Sequence, residues 1–298
     1  MSKNFIQFMK TKHMSILIVL ILFNAFSVKG QSNDKEAALY NIGFGAVFST
    51  VGAIINKKPN EPLGRVIKKS LWQGALGGYV TFESKRILRE AQQQNKWEYI
   101  WVAKLVNSVG TSIKENTAQN KGFWKKLHIN IGFNRLEFNF KDNFSVNYKL
   151  MPVAFLYTVD AIVKHKFELK KSIQTGEFIF SHQNNKYPIA STNPGIIMYN
   201  RDFYNESLTT NEILRTATHE ILHIYQSNDF SLFNTYLNKS IIKWSEKNKT
   251  INWLNKNLYL EYHYLILRTA YLLENVNINN YYDNFFEHEA GYYSGTLN

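Results

Sequence analysis

Apolar residues follow two periods along this chain, helical towards both ends and strand-like between them. Residues 15–23 (SILIVLILF) are uniformly apolar, and 37–56 (AALYNIGFGAVFSTVGAIIN) are nearly so, interrupted by Asn41, Ser49 and Thr50. Within the second stretch Gly45, Ser49 and Ala53 fall at four-residue intervals, and Gly74 and Gly78 repeat that spacing in 71–82. Small residues so spaced let two helices approach closely, so a helical hairpin is expected, packed either in a bilayer or within a soluble domain. A third helical pattern covers 97–109. Residues 111–122 (TSIKENTAQNKG) are polar and read as a connector and domain boundary.

From residue 126 the period drops to two. Ile129, Ile131 and Phe133 alternate with polar neighbours, and the phase slips near Asn134 and Arg135, as at a bulge. It resumes at Leu136, Phe138 and Phe140, and after a turn at Lys141, Asp142 and Asn143 it continues through Phe144, Val146, Tyr148 and Leu150. Residues 166–171 and 177–181 suggest a hairpin around Thr175 and Gly176, and Pro194 and Gly195 open a short strand, 196–199. These strands form an antiparallel meander too small for an outer-membrane barrel. Helical spacing returns in 209–226, 230–247 and 250–274. The fold class implied is α+β: a small-residue helical hairpin, an antiparallel meander, then a helical half.

Composition narrows the setting. The 298 residues suffice for one large domain or two modest ones. The formal charge of +12 is spread along the chain, which suits an anionic membrane or envelope surface; no nucleic-acid module is legible and none is expected as a partner. Cysteine is absent, which excludes disulfides, thiolate ligands and a cysteine nucleophile. Lys3, Lys10 and Lys12 before the apolar run, and Val28-Lys29-Gly30 after it, give residues 1–30 the pattern of a signal peptide; an uncleaved anchor is the alternative. Export to a bacterial periplasm, envelope or exterior follows, because a secreted eukaryotic domain of this size more often carries disulfides. Beyond it the chain divides into a helical region of unassigned role, 31–122, and a second region, 123–298.

One stretch carries specific chemistry: residues 219–223 read His-Glu-Ile-Leu-His. On a helix the two imidazoles lie one turn apart on one face and can converge on a metal, while Glu220 can hold a water beside it. Thr209 and Glu212 form a capping box at the expected helix start. Ile213, Leu214, Ala217, Ile221, Ile224 and Tyr225 form one apolar stripe, from which Arg215, His219, Glu220, His223 and Gln226 fall away. A solvated helix surface with two histidines is the bland alternative.

With the strand just upstream, this stretch resembles the zincin metallopeptidases, in which such a helix follows an edge strand that aligns the substrate backbone. The resemblance implies one Zn2+, held by His219, His223 and a third ligand, a peptide or protein substrate, and Glu220 as general base. The long metzincin pattern is not met, since Gln226 and Asp229 stand where it requires glycine and histidine. Residues 287–290 (EHEA) resemble the E-x-E-A segment of gluzincin-like families, which makes Glu289 the third ligand; Glu287, His288, Asp229 and Glu261 are further candidates for that place. Tyr292 and Tyr293 are candidates for stabilising an oxyanion, and Asn228 or Thr218 for orienting a ligand histidine. His128, His165, His182 and His263 read as structural or exposed. Two other functions compete with zinc peptidase. One is a zinc-binding or metal-free envelope binding protein, membrane-associated through 37–82; the other is a membrane-inserted hairpin with a soluble appendage.

Overall fold

Glycine contacts govern how the chain begins to fold. The computed structural model describes residues 33–140, 143–182, 189–200, 210–277 and 279–297. Helices α1 (Asp34–Ile55) and α2 (Leu63–Gln93) lie so close that a Cβ on Gly45 would strike the carbonyl oxygen of Gly74, and one on Gly78 that of Asn41. The expected hairpin is thus present. By length and composition α1 could cross a membrane, but nearly half of it is buried within the protein. The signal pattern at 1–30 lies outside the described residues.

Helix α3 (Glu98–Ala118) packs on α2 and runs through most of the stretch expected to be a connector. Its polar residues are buried because partners meet them: Lys114 bonds Asp229, Glu115 pairs with Arg135, and Asn116 donates to the carbonyls of Phe123 and Lys126. Polarity here marks an internal network and not exposure.

Strands β1 (Lys126–Ile131), β2 (Asn134–Asn139) and β3 (Ser145–Leu150) form the antiparallel meander. The phase slip at Asn134 is no bulge: Ile131 pairs directly with Asn134 across a tight turn whose Gly132 has φ +56°. The alternation is real but inverted. His128, Arg135 and Glu137 are buried, while Val146 and Tyr148 are exposed. The turn expected at 141–143 lies mostly outside the described residues.

Next come α4 (Pro152–Lys164), β4 (Lys166–Phe167), α5 (Leu169–Thr175), β5 (Phe178–His182), β6 (Ala190–Asn193) and β7 (Ile196–Asn200). A short helix thus occupies part of the expected hairpin. The second sheet has the order β4-β5-β7-β6 and is mixed, because β5 and β7 run parallel. The strand expected at the edge, β7, is interior; β6 takes the edge, joined to β7 through Gly195 at φ +72°.

The remaining helices are α6 (Thr210–Phe230), α7 (Asn238–Ser245), α8 (Lys249–Asn257), α9 (His263–Glu274) and α10 (Phe285–Ser294), with a 3-10 segment, Ser231–Leu237, after α6. The single helix expected over 250–274 breaks at Leu258, which bridges to Leu150. Phe82, Leu88 and Ile100 from the first helices share one core with Ile197, Ile221, Tyr225 and Tyr293. The helices of residues 34–118 therefore pack directly against the helix that carries the histidine pair.

Candidate metal centre

Helix α6 is buried on almost every side. Leu214, Ala217, Ile221 and Tyr225 are buried as the apolar stripe requires, but so are His219, Glu220 and Gln226 on the polar side. That side faces α10 and the edge of the second sheet, not water. Thr209 of the expected capping box lies outside the described residues.

Against this polar side α10 sets one carboxylate. His219 Nε2 lies 3.2 Å from Glu287 Oε2, His223 Nε2 lies 3.3 Å from the same oxygen, and the two nitrogens are 3.2 Å apart. Three donor atoms thus form a nearly equilateral triangle. Ligands held tetrahedrally at about 2.0–2.1 Å from zinc are separated by about 3.3–3.4 Å, so these residues fit that ion with a fourth position left over. Two imidazoles and a carboxylate also match zinc in donor chemistry.

The histidine tautomers suit the same purpose. Gln226 Nε2 donates to the carbonyl of Phe286 (2.8 Å) and to Glu289 Oε2 (3.0 Å), both acceptors. The amide oxygen must then face His223 Nδ1 at 2.8 Å, so Nδ1 carries a proton and Nε2 is the nitrogen that a metal would take once its own proton has left. Burial alone would lower the His223 pKa, but the hydrogen bond and charge of Glu287 outweigh it and push it up to about 9. Burial would raise the Glu287 carboxyl, yet its bonds to His219 and His223 hold it well below the ordinary carboxylate range. A cation entering the triangle would therefore displace a proton.

Two tyrosines also hold Glu287, one at each carboxylate oxygen. Tyr271 donates to Oε1 at 2.8 Å, and Tyr281 donates to Oε2. Burial first, then the Glu287 charge, raises the pKa of both hydroxyls, so they remain protonated donors. The negative charge of Glu220 adds to that of Glu287 in raising both His223 and Tyr281. Thr192 on β6 donates to Glu220 Oε2 at 2.7 Å and lies 2.8 Å from the Glu220 carbonyl oxygen, fixing one carboxylate oxygen and tying α6 to the sheet edge.

The structure thus brings together His219 and His223, with Glu220 beside them on the same helix, but not Glu289. Glu289 is buried on the other face of α10, paired with Lys85 at 2.9 Å, and Glu287 takes the place beside the imidazoles. Asp229, His288 and Glu261 are engaged elsewhere. Asp229 is buried between Lys85 and Lys114, His288 bonds the carbonyl of Tyr282, and Glu261 accepts from the backbone N–H groups of Val153 and Ala154. Tyr292 bonds Asp34 and Arg89, and Tyr293 is buried in the core. Asn228 bonds Asn107 and does not orient a ligand. His128 and His263 are internal, and burial lowers each to about 3. His165 and His182 sit ring to ring at 5.8 Å.

No family model, curated protein or solved structure matches this chain. Its function has to be read from the site itself. Tyr271, Tyr281 and Thr192, which the sequence does not single out, reach it from separate elements, whereas Gln226, three positions after His223 on the polar face, has a local signal.

Proposed function

We propose that this chain is a zinc-dependent hydrolase of peptide bonds. The observation that carries it is the 3.2–3.3 Å triangle of His219, His223 and Glu287, on whose histidine-bearing helix Glu220 also stands. Bound there, zinc would acidify a water and polarise a carbonyl. Glu220, anchored through one oxygen by Thr192, would use the other oxygen to accept a proton from an attacking water and pass it to the leaving amine. Tyr281 is exposed and directs its hydroxyl at the centre, the right kind of donor for negative charge developing on the carbonyl oxygen. The outer edge of β6, which pairs with no strand beyond it among the described residues, gives an extended substrate backbone somewhere to pair, next to Thr192. An exported protein meeting its substrate in a bacterial envelope agrees with the signal pattern and the basic charge.

Elemental analysis of the purified protein and a peptidase assay test this together. Wild type should carry about one zinc per chain, and His223→Ala and Glu287→Ala should lose it. Glu220→Gln should keep the zinc and lose about 10²-fold or more of turnover. Zinc retained by Glu287→Ala would overturn the ligand assignment, and iron in place of zinc would overturn the hydrolase reading. Full occupancy with no hydrolysis that depends on Glu220 would leave a zinc-binding protein and not an enzyme.

A further inference from the structure

On one side of the molecule the polar groups are gathered inside and the large apolar ones turned out. Helix α4 packs inward through its small positions, Ala154, Thr158 and Ala161. Its large residues point the other way: Leu156, Ile162 and Val163 are 67, 63 and 78 % exposed. The neighbouring sheet is reversed in the same sense, with Arg135 and Glu137 buried and Phe144, Val146 and Tyr148 exposed. The two surfaces adjoin where Phe133, in the β1–β2 turn, meets Phe155 of α4 edge-on at 5.2 Å. Large apolar side chains exposed together in this number mark an interaction site, not a solvated face.

Charge says what covers it. Lys164, Lys166, Lys170 and Lys171 follow the apolar row within eight residues, the first three exposed, while 152–171 hold only two acids, Asp160 and Glu168. Asp160 pairs with Lys164 and Glu168 lies 3.7 Å from Lys166, surface contacts weak enough for anionic headgroups to replace. A second copy packed face to face would bring these lysines near their own kind. We propose that α4 and the outward side of β1–β3 lie on a bilayer with anionic headgroups. The apolar side chains enter the acyl region and the lysines reach the phosphates. This docking is independent of the hydrolase reading and would hold if the metal centre proved silent.

The chain has no cysteine, so one introduced thiol reports one place. Val163→Cys in the full chain, labelled with an environment-sensitive fluorophore, is mixed with phosphatidylcholine vesicles with and without phosphatidylglycerol. Gln93→Cys, exposed at the end of α2, is the control. The label at 163 should shift to the blue and brighten with the anionic vesicles only, and the label at 93 should not change. Adding Leu156→Asp and Ile162→Asp should weaken partitioning about tenfold or more. An unmoved label at 163, equal shifts at 163 and 93, or indifference to the anionic lipid would overturn the proposal. A blue shift without vesicles that grows with protein concentration would overturn it too, in favour of a second copy.

Discussion

Gln226 shows how much one side chain decides. It bonds two acceptors with its nitrogen and so has only its oxygen to offer His223. Gln226→Leu removes that oxygen and lets the imidazole turn or change tautomer, so zinc affinity should fall about 10- to 100-fold while the fold survives. Competition against a chromophoric chelator measures this, and an unchanged Kd would show that the ring is held by packing alone. The histidine pair is legible in the sequence because a four-residue interval on a helix has one geometric meaning. The choice between Glu287 and Glu289 is not. They stand two apart on the same short helix and therefore face in different directions. Which one meets the imidazoles depends on Lys85, some two hundred positions away, claiming Glu289.

Among the elements, α4 depends on a carboxylate outside it. Glu261 accepts from the N–H groups of Val153 and Ala154 at 2.7 and 3.3 Å, filling the role of a cap at the helix N-terminus. Burial nevertheless raises its pKa from 4.5 to about 7. Between those values the folded chain keeps a proton that the unfolded chain releases, so stability is greatest below pH 4.5 and falls as pH rises through 7. The loss should approach about 3 kcal/mol on this group's account. Urea unfolding at pH 5 and pH 8 should show it in wild type and not in Glu261→Gln; equal slopes in both would remove Glu261 as the cause. Element types can be read where period alone decides, as in α1, α2, β1–β3 and α6. Facing and pairing cannot. Alternation in β1–β3 does not say which side is inside when Glu115 awaits Arg135 there, and nothing in β5 or β7 announces that the two run parallel.

At the scale of the whole molecule, the helices of residues 31–122, whose role the sequence leaves unassigned, are the support of the candidate centre. Lys85 and Lys114 reach from α2 and α3 to Asp229 on α6 and, through Lys85, to Glu289 on α10. Such buried pairs are costly to break from one side, about 3–5 kcal/mol, because a charge is left without a partner. Polar composition gives no hint of this, since exposed and internally paired residues look alike in a sequence. The site itself spans the chain in another way. His219 and Glu287 are 68 residues apart, so an ion between them would act as a clasp on a long loop, limiting the freedom of the denatured chain much as a crosslink does. Stripping it with a chelator should lower the melting temperature and make the segment around 275–297 the first to yield to a protease; cleavage that begins elsewhere would refute the clasp. In a chain without disulfides, that single removable tie would let the supply of metal decide how long the protein survives among proteases.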